Sequence, residues 1–90
     1  MVSLLPFTAA AVARVPNVTG AYFLYRGWRP VFAGVACGGA TLRDELRAHR
    51  RGDFGPATRG ATHFSWRGTR DPLTAYRMQL GAHARWDLRA

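Results

Sequence analysis

Ninety residues of 9.9 kDa suffice for one domain with one modest core and exclude a second, because chains divide into domains only well beyond this length. With 48% hydrophobic residues, including five phenylalanines, three tyrosines and three tryptophans, the chain is not a disordered tail. Thirteen basic residues against five acidic ones give a net charge of +8, every basic residue being arginine, and such an excess speaks about partners rather than about fold.

The first thirteen residues are apolar and end in an Ala-x-Ala pattern, but no basic residue precedes the apolar run and Pro6 and Thr8 interrupt it. The stretch reads as structure rather than as a signal peptide. Thr8 is a cap candidate for a short helix over Ala9 to Arg14, stopped before Pro16. From Gly20 the period changes to two, with Ala21, Phe23 and Tyr25 alternating against Tyr22, Leu24 and Arg26. After Gly27-Trp28, Pro30 to Ala36 is again extended and apolar, so the two runs form a hairpin in which glycine takes the first place of a two-residue loop.

Cys37-Gly38-Gly39 ends that strand, and Thr41 with Asp44 three residues on forms a capping-box pattern for a helix from Leu42 to Arg51, closed by Gly52. Leu42, Leu46 and His49 lie on its core side, while Arg43, Arg47, Arg50 and Arg51 form a stripe on another. Asp53 to Gly60 reads as loop. Thr62, Phe64 and Trp66 alternate with His63, Ser65 and Arg67 as a third, half-buried strand. Asp71-Pro72 starts a last helix, whose buried face is read as Leu73, Tyr76, Leu80 and Ala84, with Trp86 and Leu88 extending or fastening it. The predicted architecture is α+β: a three-stranded antiparallel sheet flanked by helices.

Arginine meets phosphate oxygens two at a time through a planar fork of donors, so the excess points to nucleic acid. The competing explanation is a GC-rich genome that writes arginine wherever a basic residue is tolerated. Cys37, the only cysteine, permits no internal disulfide and no four-cysteine zinc site, and the simplest compartment is a reducing cytoplasm. His49, His63 and His83 fall on three different elements without metal-ligand spacing and read as structural histidines. No apolar run approaches the length of a membrane span, so no membrane partner is expected. Trp28, at the hairpin tip, is placed to be exposed and to stack on a base or to seal a contact with another copy.

Gly20-Ala21-Tyr22, then Phe32-Ala33-Gly34 ten residues later, then a helix opening Leu42-Arg43-Asp44-Glu45-Leu46, then a strand and a closing helix, resemble the GIY-YIG nuclease family over roughly Pro6 to His83. The resemblance implies a three-stranded antiparallel sheet between helices and a site that cuts phosphodiesters with one divalent metal. That site takes a tyrosine from each hairpin strand, an arginine from the next helix that steadies the phosphate, and a glutamate from the last helix that holds the metal. Tyr22 matches the first tyrosine and Gly34 the closing glycine. The second tyrosine falls on Phe32, which has no hydroxyl, and the arginine falls on Glu45, a reversal of charge. The metal-holding glutamate falls near Met78 or Gln79, neither a ligand for a hard cation.

Loss of the general base costs roughly a hundred- to ten-thousand-fold, and loss of the metal forfeits several kcal/mol of charge stabilisation. The resemblance therefore implies a degenerate member that binds nucleic acid, DNA in the first instance, through Arg43, Arg47, Arg50 and Arg51, with Arg26 and Arg29, and with Arg67 and Arg70 widening the patch. On that reading no metal or cofactor is needed. Two rival readings stand beside it. One is a working endonuclease using Mg²⁺ or Mn²⁺ with displaced groups such as Tyr22 and Glu45, Glu45 being the lone candidate metal ligand. The other is a protein-interaction module that keeps the fold for its surface. For Tyr22 the plain alternative is a strand aromatic with its hydroxyl at the surface, for Glu45 a surface acid pairing with His49 or Arg43, and for the stripe a solvated helix face.

Overall fold

A computed structural model describes residues 4–86. Along the chain it contains β1 (Leu5–Pro6), α1 (Ala9–Ala13), β2 (Gly20–Arg26), β3 (Arg29–Ala36), α2 (Leu42–Arg51), α3 (Pro56–Arg59), β4 (His63–Gly68) and α4 (Pro72–Trp86). Leu88 lies outside the described residues, as do the side chains of His83 and Trp86.

The class is α+β with an antiparallel sheet, but the sheet has four strands, in the order β1-β4-β2-β3, and not the three expected. The addition is β1, whose Leu5 and Pro6 pair with Phe64 and His63. Two residues, one of them a proline, carry no alternation to read, and proline is tolerated in a sheet where its missing N–H faces outward at an edge. A second difference lies between α2 and β4, where the expected loop contains the one-turn helix α3, opened by Pro56 after Gly55 at φ 97°.

Strand β2 is central. It pairs with β3 from Gly20 opposite Ala36 to Arg26 opposite Arg29, with an irregularity between Leu24 and Tyr25, and with β4 from Gly20 opposite Gly68 to Tyr25 opposite His63. The Gly27-Trp28 turn puts Gly27 at φ 63°, a backbone conformation that glycine adopts without steric cost. Thr41 caps α2: its hydroxyl accepts from the Asp44 N–H at 3.3 Å and donates to Asn17 Oδ1 at 3.2 Å. Gly52 ends the helix in the left-handed region, at φ 89°.

One face of the sheet carries the main core, in which Tyr22, Leu24, Ala36 and Phe64 meet Phe7, Val12, Val15, Leu42 and Leu46 from the α1 and α2 side. Burying each large apolar side chain there stabilises the fold by roughly 2–3 kcal/mol. Successive strand residues point to opposite faces, so the equally buried Ala21 and Ala33 belong to the other face, which α4 covers through its packing on β3 and β2.

Helix α4 lies the other way round from the sequence expectation. Leu73, Tyr76 and Leu80 are exposed, Leu80 by 66%, and Ala84 is exposed too, whereas Ala75 and Ala82 are buried and Met78 and Gln79 half-buried. Both sets recur at helical spacing, so periodicity does not choose between them. The choice falls to the partner: small alanines let the helix backbone approach the sheet, and Gln79 Nε2 then reaches the carbonyl of Ala33 at 3.1 Å.

Candidate functional site

Two features of the molecule carry chemical potential: a buried polar chain beneath α2, and an arginine-lined groove on that helix's outer flank. The buried chain begins with Tyr22. Register sets Tyr22 directly opposite Gly34, and the tyrosine ring occupies the space that a Cβ at position 34 would need. Gly34 is thus the residue that lets Tyr22 lie flat across β3. The ring is 2% exposed, and its hydroxyl is 2.8 Å from His49 Nε2. His49, fully buried, continues the chain through Nδ1, 2.8 Å from the Thr58 hydroxyl supplied by α3. A neutral imidazole has one N–H and one lone pair, so it donates to one of these hydroxyls and accepts from the other.

Aromatic rings enclose the imidazole. Phe54 lies 4.3 Å from it and Phe32 4.8 Å, centroid to centroid, with Tyr22 edge-on at 5.4 Å. Desolvation dominates the electrostatics, since a charged group loses its hydration here. It lowers the His49 pKa from 6.5 to about 4, keeping the ring neutral at physiological pH. Burial also raises the Tyr22 phenol well above its ordinary range, with the nearby Glu45 carboxylate adding to the effect. The Glu45 carboxyl is itself raised, first by burial and then by Asp44.

Tyr22, Phe32 and Glu45 are therefore neighbours, and sequence reasoning missed what connects them: His49, Thr58 and Phe54. The only signal for His49 was its place on the buried stripe with Leu42 and Leu46, and nothing local announced Thr58 or Phe54. The Tyr22 hydroxyl is not at the surface; it is buried on His49. Glu45 pairs with neither His49, which is occupied by two hydroxyls, nor Arg43, whose Nε donates to the Val15 carbonyl at 2.7 Å. Met78 is half-buried on α4. Cys37 is half-buried and free, and among the described residues no group of three or more His, Cys, Asp or Glu side chains is arranged to hold a metal ion.

The groove lies between α1 and α2. Ala9, Val12 and Ala13 form one wall and Arg47, Arg50 and Arg51 the other, around roughly 470 Å³. All three arginines are exposed, and Arg51 also donates to Asp53 at 2.8 Å. Arg43 stands apart from this wall, half-buried and committed to Val15, where it ties α2 to the end of α1. At about 100° per residue, Glu45 and the arginine wall fall on opposite flanks of α2. The arginine wall therefore does not adjoin the Tyr22–Glu45 cluster. Arg26 and Arg29 face each other across the hairpin tip. Arg70 lines a different hollow, with Val18, Thr19, Gly68 and Thr69, at the Gly20 end of β2, and Arg67 is opposite Ala21. Neither lines the α1–α2 groove that the arginine stripe borders.

No protein-family model matches the chain, and no curated protein matches it. Among the described residues no helix is long and apolar enough to cross a membrane.

Proposed function

We propose that this chain is a nucleic-acid-binding domain on a scaffold of GIY-YIG type that has lost the standard metal-dependent hydrolysis. The observation that carries the binding half is the groove between α1 and α2, with three exposed guanidinium groups on one wall and small or apolar side chains on the other. The narrow alanine wall lets a phosphate backbone come close, and each arginine offers a fork of donors to two phosphate oxygens. Binding of this kind is strong at low salt and reads little sequence, because it grips what every nucleotide shares.

The loss of hydrolysis is supported by the chemistry of the positions that resemble the family's. Phe32 has no hydroxyl, and Glu45 sets a carboxylate where a phosphate would need a cation. Met78 has no oxygen for a hard metal, and the Tyr22 hydroxyl is buried on a neutral imidazole. The first three remove a proton acceptor or a positive charge that phosphodiester cleavage uses, and the fourth shuts the remaining hydroxyl away from a substrate.

The test is a titration of fluorescent single- and double-stranded DNA at two salt concentrations, with and without Mg²⁺, read for binding and for cutting. Binding should weaken steeply with salt, and the double substitution Arg47→Ala, Arg50→Ala should flatten the salt slope by roughly two. Cleavage that appears with Mg²⁺ and stops with chelator would restore the endonuclease reading. Absence of both binding and cutting would leave the interaction module.

A further inference from the structure

We infer that the ligand of this surface is a single-stranded nucleic acid, one unpaired base of which stacks on Trp28 at the tip of the β2–β3 hairpin; the inference rests on the nucleic-acid reading above and names its substrate class. Among the described residues no other large hydrophobic side chain is as open as Trp28, which is 83% exposed. An indole this exposed at a turn contributes little to the core, so most of its apolar area is available to a ligand.

The tip is held, not loose. Gly27 N–H donates to the Thr62 hydroxyl at 2.7 Å, and Thr62 N–H donates to the Tyr25 carbonyl at 2.8 Å, pinning the hairpin to the start of β4. A turn whose backbone is held in this way loses little further backbone freedom on binding, which favours stacking on its side chain. Arg26 and Arg29, both exposed, flank the indole from the two strands, so a base on Trp28 has cations for the phosphates on either side of it.

This tip is connected to the groove by side chains lying over glycines. The Arg26 guanidinium sits 2.9 Å from where a Cβ on Gly60 would be, and the Arg59 Cδ sits 3.1 Å from where a Cβ on Gly52 would be. Gly52 directly follows Arg51. Arg26 thus reaches from the hairpin to the residue that follows Arg59, and the Arg59 side chain lies over the residue that follows Arg51, with Phe54, 52% exposed, two positions beyond Gly52 as a second ring. Asp53, the acid beside this path, is paired with Arg51. A cationic track interleaved with exposed aromatic rings suits unpaired nucleotides, because phosphates follow the charges while free base faces take the rings. In a duplex the base faces are already stacked on one another and are not offered to Trp28.

The experiment compares wild type, Trp28→Ala, Trp28→Tyr and Arg47→Ala/Arg50→Ala by fluorescence anisotropy on a labelled thymidine oligonucleotide and on a blunt duplex of equal length. Stacking predicts that Trp28→Ala weakens single-strand binding about ten- to a hundredfold, that Trp28→Tyr recovers most of it, and that duplex binding changes less than about twofold. If Trp28→Ala leaves single-strand binding unaltered, or weakens both ligands equally, the stacking inference is overturned while the nucleic-acid reading stands on the arginine pair. If wild type binds neither ligand at low salt, the nucleic-acid reading falls and takes this one with it. Trp28 is exposed in a turn, so circular dichroism of the variants should superimpose on wild type.

Discussion

Lowering the pH from 8 to 5 is expected to destabilise this protein through His49, and the size of the effect follows from burial. The imidazole is fully buried between two hydroxyls and two phenylalanine rings, and its pKa is lowered from 6.5 to about 4. Between those two values the unfolded chain binds a proton that the folded chain refuses, so acid favours unfolding. The His49 contribution is fully present above the unfolded value of 6.5 and declines as the pH falls towards 4.

Each unit of difference is worth 1.36 kcal/mol, so the whole contribution is about 3 kcal/mol, of which about 2 kcal/mol is lost by pH 5. A domain of this length has roughly 5–13 kcal/mol in total, so the loss is easily read in urea unfolding followed by tryptophan fluorescence. Glu45 acts with the opposite sign, since its raised carboxyl takes up a proton more readily in the folded state and gains stability on acidification. It is common to wild type and to His49→Gln, which keeps a donor and an acceptor but does not titrate. The difference between the two proteins therefore isolates the imidazole. His49→Gln should start less stable at pH 8 and then lose about 2 kcal/mol less than wild type on going to pH 5. An equal loss in both proteins would refute the assignment, and Thr58→Val, which removes one partner only, provides a second, milder perturbation with the same readout.

Further outcomes follow from packing. Gly34→Ala forces a methyl into the Tyr22 ring and should cost about 1–3 kcal/mol in chemical denaturation; in a Tyr22→Leu background, where that space is vacated, the same substitution should cost less, and an equal cost in both backgrounds would exclude the ring as the cause. On α4, Leu80→Glu should shift stability by no more than about 0.5 kcal/mol, whereas Ala75→Leu, at a fully buried site, should cost roughly 1–3 kcal/mol. A melting experiment giving the reverse order would mean that α4 presents its other face to the sheet.

What the amino-acid sequence determined by itself is the part of the structure governed by neighbours along the chain. Thr41 and Gly52 bound α2 because capping satisfies backbone groups within one turn. Gly27 closes the hairpin because only the local backbone decides the cost of a positive φ, and the alternation from Gly20 onward marks β2 for the same local reason.

Tertiary structure alone decided three things. It recruited Leu5–Pro6 to the sheet edge, a pairing made with β4 nearly sixty residues away and carried by no local pattern. It chose the alanine stripe of α4 over the leucine stripe, because both have the same period and the winner is whichever fits the opposing surface. It assembled Tyr22, His49, Thr58 and Phe54 from four separate segments. Contacts between distant segments depend on the shape that the intervening chain takes, and that shape is set by packing rather than by any short stretch of residues.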